Sequence, residues 1–396
     1  MALMSLANRR SLRFLALSQA GLFAANGLTV PLMVNHFGAL GAGPALVGLM
    51  FAASQLGSLV APYLWGLRSD QIGRRRPIIF VTLIISSLAL LTISLTKTVW
   101  VVMIAQLLLG IAGAGFNAGS LALAGDLIED ASSRGRVLGF FRTTGSLAFA
   151  ITAVGGGFIA DAFGLWAPIL LASIMQALGC LATFGIQEVT CSAQEVAPDP
   201  LTPPIPPANS QFSRGATIAF FVVVFSWFYG MGAVAWQWPA FMKTLDYSQS
   251  SISALWALAA LGEVPALTIA GLLADRWGRR PLLMAGLTGQ GIIYMLYQVV
   301  APTWGIVPLQ MIRSLTFSSY ETPALLVATE MGLRQRRGRL AGMYHTIAAL
   351  GGVVGATIGG QLVAWQGYTF SFMVAGVWMM FVAWFIASRL PRQQPT

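Results

Sequence analysis

Stretches of about twenty apolar residues recur along the whole chain and limit what it can fold into. As a helix, each stretch is long enough to cross a hydrocarbon layer roughly 30 Å thick. Lipid offers the backbone no hydrogen-bond partners, so a spanning segment must pair its own N–H and C=O groups as a helix. We count twelve such stretches, near residues 14–36, 45–67, 77–96, 99–125, 137–160, 165–186, 216–242, 250–273, 281–301, 304–329, 340–363 and 368–388.

Composition and charge support a membrane protein rather than a soluble one. Of the 396 residues, 56% are hydrophobic and 9% are charged, a balance at which a soluble domain would precipitate. The net charge of +10 arises mainly because 19 of the 23 basic residues lie at the termini or in alternate loops. The other loops hold only Lys97 and Lys243. This asymmetry predicts a multi-pass inner-membrane protein with both termini in the cytoplasm, and it explains the charge without a nucleic-acid partner.

Signatures of catalysis or metal binding do not occur at useful spacing. The two cysteines, Cys180 and Cys191, have no sequence context that suggests metal or redox chemistry. We find no Ser-His-Asp set, metal-ligand cluster or phosphate-binding loop. We therefore expect no enzyme activity, no cofactor and no metal site.

Two loops repeat the same glycine, aspartate and arginine pattern 205 residues apart, which indicates two related halves. The first copy consists of Gly66, Asp70, Gly73, Arg74 and Arg75, and the second of Gly271, Asp275, Gly278, Arg279 and Arg280. We predict a first bundle over residues 1–186, a proline-rich cytoplasmic linker over 187–214 and a second bundle over 215–396. The linker is interpreted either as a hinge between the halves or as a loop without a mechanical role.

The repeated loop resembles the signature of the major facilitator superfamily. This resemblance implies an all-α membrane protein with twelve transmembrane helices in two six-helix bundles, moving a small solute by alternating access. It also implies that the loop residues act as a cytoplasmic gate, in which Asp70 accepts charge-assisted hydrogen bonds from arginines or a helix N-terminus. Alternatively, Asp70 and Asp275 cap turns while the arginines bind lipid headgroups.

Shorter stretches resemble the lactose permease and phenylpropionate permease branch of proton symporters. They are residues 115–119, 142–145, 262–263 and 321–327. Ala124, Phe149 and Ser318 depart from the residues that recognise galactosides in that branch. We expect proton-coupled symport of a small organic solute by a monomer in the lipid bilayer. Proton-driven efflux of drugs or sugars is the alternative, and a receptor that does not transport is a third hypothesis.

Glu263 and Glu321 are the two carboxylates expected well inside the predicted spans. An ionisable group there is normally paired, neutral or functional. A carboxylate that gains and loses an arginine partner can take up and release a proton. We therefore predict a proton-coupling set of Glu321, Glu263, Arg313 and His345, while a static salt bridge and a packing histidine remain alternatives.

The predicted substrate-binding residues are polar or aromatic groups within the apolar helices: Arg142, Asn26, Asn117, Tyr229, Gln237 and Trp236. The forked donors of Arg142 suit an anionic or hydroxyl-rich solute, although a side chain near a helix end can also extend to the headgroups. The others could instead form interhelical hydrogen bonds, and Trp236 could belong to an interfacial aromatic belt.

Overall fold

The computed structural model describes residues 6–72, 74–127, 131–187, 214–330, 337–386 and 389–390. Within these ranges the chain consists of helices and short connections, without a β-strand. We call the side of the arginine-rich loops the inner side, and the side of Lys97 and Lys243 the outer side. This orientation is the one that the positive charges predict.

The first half of the sequence forms seven helices. They are α1 (Leu6–Thr29), α2 (Met33–Ala39), α3 (Pro44–Ile72), α4 (Arg76–Leu95), α5 (Val99–Leu127), α6 (Ala131–Phe163) and α7 (Trp166–Ala182). A 3₁₀ turn at Thr183–Gly185 extends α7. The axis bends by 48° between α1 and α2, where a single predicted span covers both helices.

The second half forms six helices. They are α8 (Arg214–Gly230), α9 (Trp238–Thr244), α10 (Gln249–Trp277), α11 (Arg279–Val300), α12 (Ile306–Glu330) and α13 (Arg337–Phe381). Turns of π-helix follow α8 at Met231–Ala235 and α13 at Val382–Ile386. A π-helical turn widens the backbone locally and often occurs at functional positions.

Nine of the described helical segments are long and apolar enough to cross a membrane, and the bent pair α1–α2 makes a tenth. Large apolar side chains such as Leu88, Ile151, Phe158 and Val299 stand exposed on these segments. Such surfaces are stable against lipid rather than water. The chain is therefore an all-helical, multi-span membrane protein.

Twelve separate spans remain a prediction, because helices α12 and α13 do not each correspond to one apolar span. Helix α12 is less apolar because it carries Arg313, Glu321 and Glu330. Helix α13 contains the predicted span near 340–363 and most of the one near 368–388, with Gly367 between them. Gly367 has φ 83°, a left-handed conformation that glycine adopts without strain.

The described chain divides into two compact units, each including one short segment from the other half of the sequence. Unit 1 comprises Met1–Ala42, Ala53–Gln194 and Asp246–Leu261. Unit 2 comprises Gly43–Ala52, Glu195–Leu245 and Gly262–Thr396. The outer part of α3 thus belongs to unit 2, and the outer part of α10 to unit 1. The separation into bundles at residues 186 and 215 stays a prediction.

In unit 1, α1 packs against α6 and α7, and α4 packs against α5 and α7. Its core includes Leu15, Leu22, Ile79, Leu83 and Phe116, all at most 6% exposed. These are aliphatic and aromatic side chains from α1, α4 and α5. Their positions show which face of each of these helices is turned toward the core of unit 1.

In unit 2, α13 packs against α8 and α11, and α11 packs against α12. Aromatic residues fill this interior: Trp227, Trp238, Tyr294, Tyr297 and Tyr320 are each at most 2% exposed. Of their three hydroxyl groups, that of Tyr294 donates to Met231 Sδ and that of Tyr297 to Gln310 Oε1. The interior of unit 2 is therefore polar as well as aromatic.

Candidate functional site

The structure brings two of the predicted proton-coupling residues together in unit 2. Glu263 on α10 and Arg313 on α12 face each other, with 4.0 Å between Glu263 Oε1 and Arg313 Nη2. The Arg313 side chain is 9% exposed and the Glu263 side chain 24%. At this distance the pair sits at the outer limit of an ion pair, so a small movement of either helix would separate the charges.

Glu321 lies on the same helix as Arg313, eight residues further along, which is a rise of about 12 Å. Its side chain is half-buried. Two carboxylates and one guanidinium therefore occupy the middle of α10 and α12.

Hydrogen-bonding groups surround Arg313 on α11 and α12. Thr316 Oγ1 donates to Gln290 Oε1 at 2.9 Å, and the Tyr297 hydroxyl donates to Gln310 Oε1 at 3.5 Å. The Thr316 hydroxyl also donates to the Arg313 carbonyl at 2.9 Å. The cluster is thus polar beyond its ionised members.

Sequence reasoning missed the supporting side chains Gln310, Thr316, Tyr294 and Tyr297. A signal for them does exist in the chain. Gln310, Arg313 and Thr316 are spaced three residues apart, which places them on one face of a helix. The Tyr294 hydroxyl reaches Met231 Sδ at 3.5 Å, at the start of the π-helical turn, and no spacing rule predicts that contact.

Aromatic rings from α8, α12 and α13 pack in unit 2, where Tyr320 directly precedes Glu321 in the sequence. Trp227 on α8 stacks on Tyr320 on α12, with 4.0 Å between ring centroids and 10° between planes. Phe317 packs against Trp227 at 6.0 Å. Tyr344 on α13 packs against Phe220 at 6.4 Å. The predicted relay residue His345 is exposed and contacts the Tyr344 ring edge-on at 5.3 Å.

Three predicted substrate-binding residues instead contact other parts of the unit 2 interior. Tyr229 is 9% exposed and lies parallel to Phe225, with 6.5 Å between centroids. Trp236 stacks on Phe51 of α3 at 5.1 Å. Gln237 Nε2 donates to the Pro44 carbonyl at 3.3 Å. In this state, Trp236 and Gln237 hold the outer part of α3.

The remaining predicted substrate-binding residues belong to unit 1 and are not part of the Glu263–Arg313 cluster. Asn26 on α1 is half-buried, and Asn117 on α5 is exposed. Their backbone carbonyls accept bonds from the Val30 N–H and the Ser120 hydroxyl. The side chain of Arg142 lies outside the described residues.

The two predicted gating loops are described to different extents. In the first, Gly73 and the environments of Gly66 and the Asp70 side chain lie outside the described residues, Arg74 is exposed and Arg75 is half-buried. In the second, Gly278 separates α10 from α11 with φ 80°, and Arg280 Nη1 donates to the Leu390 carbonyl at 3.4 Å. Asp275 is exposed, whereas Gly271 and Arg279 are half-buried.

Among the described residues, no group of His, Cys, Asp or Glu side chains is placed to hold a metal ion. The charged groups of the cluster are the Glu263–Arg313 pair and the carboxylate of Glu321.

The family model described as the MFS_1 like family matches residues 21–374. The chain belongs to this family of the major facilitator superfamily. It is therefore a membrane transporter and not an enzyme. The match covers the loops with the repeated glycine, aspartate and arginine pattern and the Glu263–Arg313 cluster.

Curated relatives and a solved structure agree with this assignment. The class C tetracycline resistance protein of Escherichia coli is 27% identical over 334 residues, covering 82% of this chain and 79% of that protein. The multidrug resistance protein MdtG of Enterobacter lignolyticus is 24% identical over 378 residues, covering 93% and 88%. A crystal structure of the nucleoside transporter NupG has a TM-score of 0.75 at 13% identity, covering 97% of this chain and 99% of that one.

Proposed function

We propose that this transporter moves a small organic solute together with protons, by symport across the inner membrane. The observation that carries the proposal is the Glu263–Arg313 pair on α10 and α12, together with a second carboxylate, Glu321, on the same helix as Arg313. Leaving a second ionised carboxylate at this depth costs a few kcal/mol, so a proton is the natural neutralising partner.

The charge balance suggests how a proton would be coupled to the solute. Arg313 neutralises one ionised carboxylate, here Glu263, and a proton bound to Glu321 neutralises the other. When movement of α10 against α12 separates Glu263 from Arg313, Glu263 takes up a proton, and it releases that proton when the pair forms again. Protons would thus be taken up and released as the chain changes its conformational state.

Solute recognition is assigned to the predicted residues Arg142, Asn26 and Asn117 of the first half and Tyr229 of the second. Transporters that work by alternating access bind the solute near the middle of the membrane. The exposure of Asn117 supports its role, whereas the Tyr229 side chain is buried in this state.

Proton-driven efflux is the second candidate, favoured by the curated relatives. The class C tetracycline resistance protein and MdtG match 82% and 93% of this chain. The same carboxylates and arginine would then exchange a proton for a drug or a sugar. The direction of the proton relative to the solute separates the two functions.

The test uses purified protein in proteoliposomes that contain a pH-sensitive dye. Tetracycline, D-xylose, uridine and 3-phenylpropionate are first screened for thermal stabilisation of the protein. A stabilising solute is then added outside without a pH gradient. Symport predicts acidification of the lumen as solute enters, and efflux by exchange predicts alkalinisation. Solute entry without any pH change would contradict both forms of proton coupling.

A further inference from the structure

A carboxylate on α6 binds the first turn of α10 at the outer side of unit 1. Asp161 Oδ1 accepts a hydrogen bond from the Gln249 backbone N–H at 2.9 Å, and Asp161 Oδ2 accepts one from the Ser250 N–H at 3.0 Å. The first N–H groups of a helix have no partner within it and carry partial positive charge. Asp161 therefore makes two charge-assisted bonds to a helix 88 residues away in sequence.

Helix α10 also has a cap of its own, so the bonds from Asp161 are not needed to start it. The Ser251 N–H donates to Ser248 Oγ at 3.1 Å, and the Ile252 N–H donates to the Ser248 carbonyl at 3.1 Å. This is the usual arrangement of a serine N-cap. The bonds of Asp161 therefore join two helices instead of completing one.

Below this contact, α6 and α10 meet along small side chains. Ala150 and Ala153 pack with Ala257 in one cluster. A Cβ atom on Gly157 would lie 2.6 Å from Ser250 Cα and 2.9 Å from Ser253 Cβ, so the backbones approach closely. Two helices that meet through small apolar side chains can separate without losing polar contacts. At the outer end of the α6–α10 contact, the hydrogen bonds of Asp161 supply the polar interaction.

The second half of the chain contains a corresponding contact without the carboxylate. Gly360, which follows Gly157 by 203 positions, meets Pro44 and Gly48 of α3. The position equivalent to Asp161 is Ala364. Helix α3 begins with Pro44, which has no N–H to offer. The carboxylate cap is thus a feature of the α6–α10 contact and not of the repeat.

We propose that Asp161 is an outer latch of the transport cycle, which favours the state in which α6 and α10 touch at their outer ends. This inference rests on the transporter family and not on proton coupling or on the identity of the solute. Opening of the outer side exchanges the two bonds of Asp161 for water. Loss of the negative charge therefore shifts the population toward molecules in which α6 and α10 are separated.

The test measures whether the α6–α10 contact opens more often without the charge. A reporter thiol is introduced by Ser253→Cys in a chain with Cys180→Ser and Cys191→Ser. Ser253 is 0% exposed, and its hydroxyl has no hydrogen-bond partner among the described residues, so the change removes no polar contact. The rate of alkylation by N-ethylmaleimide in membranes then reports the separation of the two helices.

Asp161→Asn keeps the size of the side chain but leaves a single acceptor oxygen without charge. We expect it to raise the alkylation rate on the order of tenfold, the ratio that corresponds to losing about 1.4 kcal/mol. Asp161→Glu keeps the charge and should return the rate most of the way to that of the parent. Asp246→Asn is the matched control, because it removes an exposed carboxylate just before α10 and should leave the rate unchanged.

Three results would overturn the latch. The rate in Asp161→Asn could equal that of the parent, or Asp246→Asn could raise it equally, which would indicate a general charge effect. A second reporter, Ser86→Cys, lies 2% exposed in α4. An equal rate increase at that position would show that unit 1 has loosened, so that Asp161 is a structural residue. Binding of solute and proton movement do not enter any of these measurements.

Discussion

Glu263 and Arg313 come within 4.0 Å of each other across α10 and α12, fifty residues apart in sequence and largely shielded from solvent. A pair at the limit of contact keeps both charges partly compensated while costing little to separate. This property suits the exchange of ion pairs that we propose for the transport cycle. It also makes the pair a sensitive place for mutational tests.

The first prediction concerns Glu321. Glu321→Gln mimics a permanently protonated carboxyl group, so the chain should lose solute accumulation driven by a pH gradient while still exchanging solute across the membrane. Counterflow and gradient-driven uptake in proteoliposomes measure the two properties separately. Asp246→Asn, on an exposed loop, is the control and should keep both. Full uphill uptake by Glu321→Gln would remove Glu321 from proton coupling.

The second prediction concerns the partnership of Glu263 with Arg313. Glu263→Gln leaves the guanidinium in a largely buried site without its carboxylate, so we expect a loss of about 1–3 kcal/mol in the free energy of unfolding. The figure is set below that of a fully buried pair because the Glu263 side chain is 24% exposed.

A double-mutant cycle checks this assignment. Arg313→Gln combined with Glu263→Gln should regain part of the lost stability, since the uncompensated charge is then gone. Thermal unfolding of the four proteins in detergent supplies the comparison. Strictly additive losses would mean that the two side chains do not interact.

In transport, Glu263→Gln should reduce solute affinity more than Glu321→Gln does and proton coupling less.

The third prediction concerns the close approach of α6 and α10. In Gly157→Ala, the added methyl group would sit 2.6 Å from Ser250 Cα and 2.8 Å from the Gln249 carbonyl, so α10 must move away. We expect faster alkylation of the Ser253→Cys reporter, by several-fold. Gly155→Ala is the matched control, because nothing lies within 4 Å of its new methyl group. Equal rates in the two alanine variants would contradict the proposed contact.

The fourth prediction concerns the first gating loop, whose role rests on the sequence pattern. If Asp70 stabilises closure at the inner side, Asp70→Asn should favour molecules that are open there and closed at the outer side. The Ser253→Cys reporter should then be alkylated more slowly, opposite to the effect of Asp161→Asn. In the double variant the two shifts should partly cancel. Faster alkylation in Asp70→Asn alone would contradict a role of the loop in closing the inner side.

The sequence by itself determined the membrane class, the repeat and the family. Apolar length and charge asymmetry act residue by residue, so they can be read without knowing which helices are neighbours. The same reasoning singled out Glu263, Glu321 and Arg313, because an ionisable residue within an apolar stretch is costly wherever the helix packs. It also placed a helix break near Gly278, where the left-handed conformation requires glycine.

Only the tertiary structure decided which of these groups meet. Helical periodicity assigns a residue to a face of its helix but does not determine which neighbouring helix lies against that face. Glu263 beside Arg313, Asp161 on the first turn of α10, and Arg280 on the Leu390 carbonyl all depend on that choice. For the same reason Trp236 and Gln237, predicted from their polarity and rings to bind solute, contact the outer part of α3 in this state.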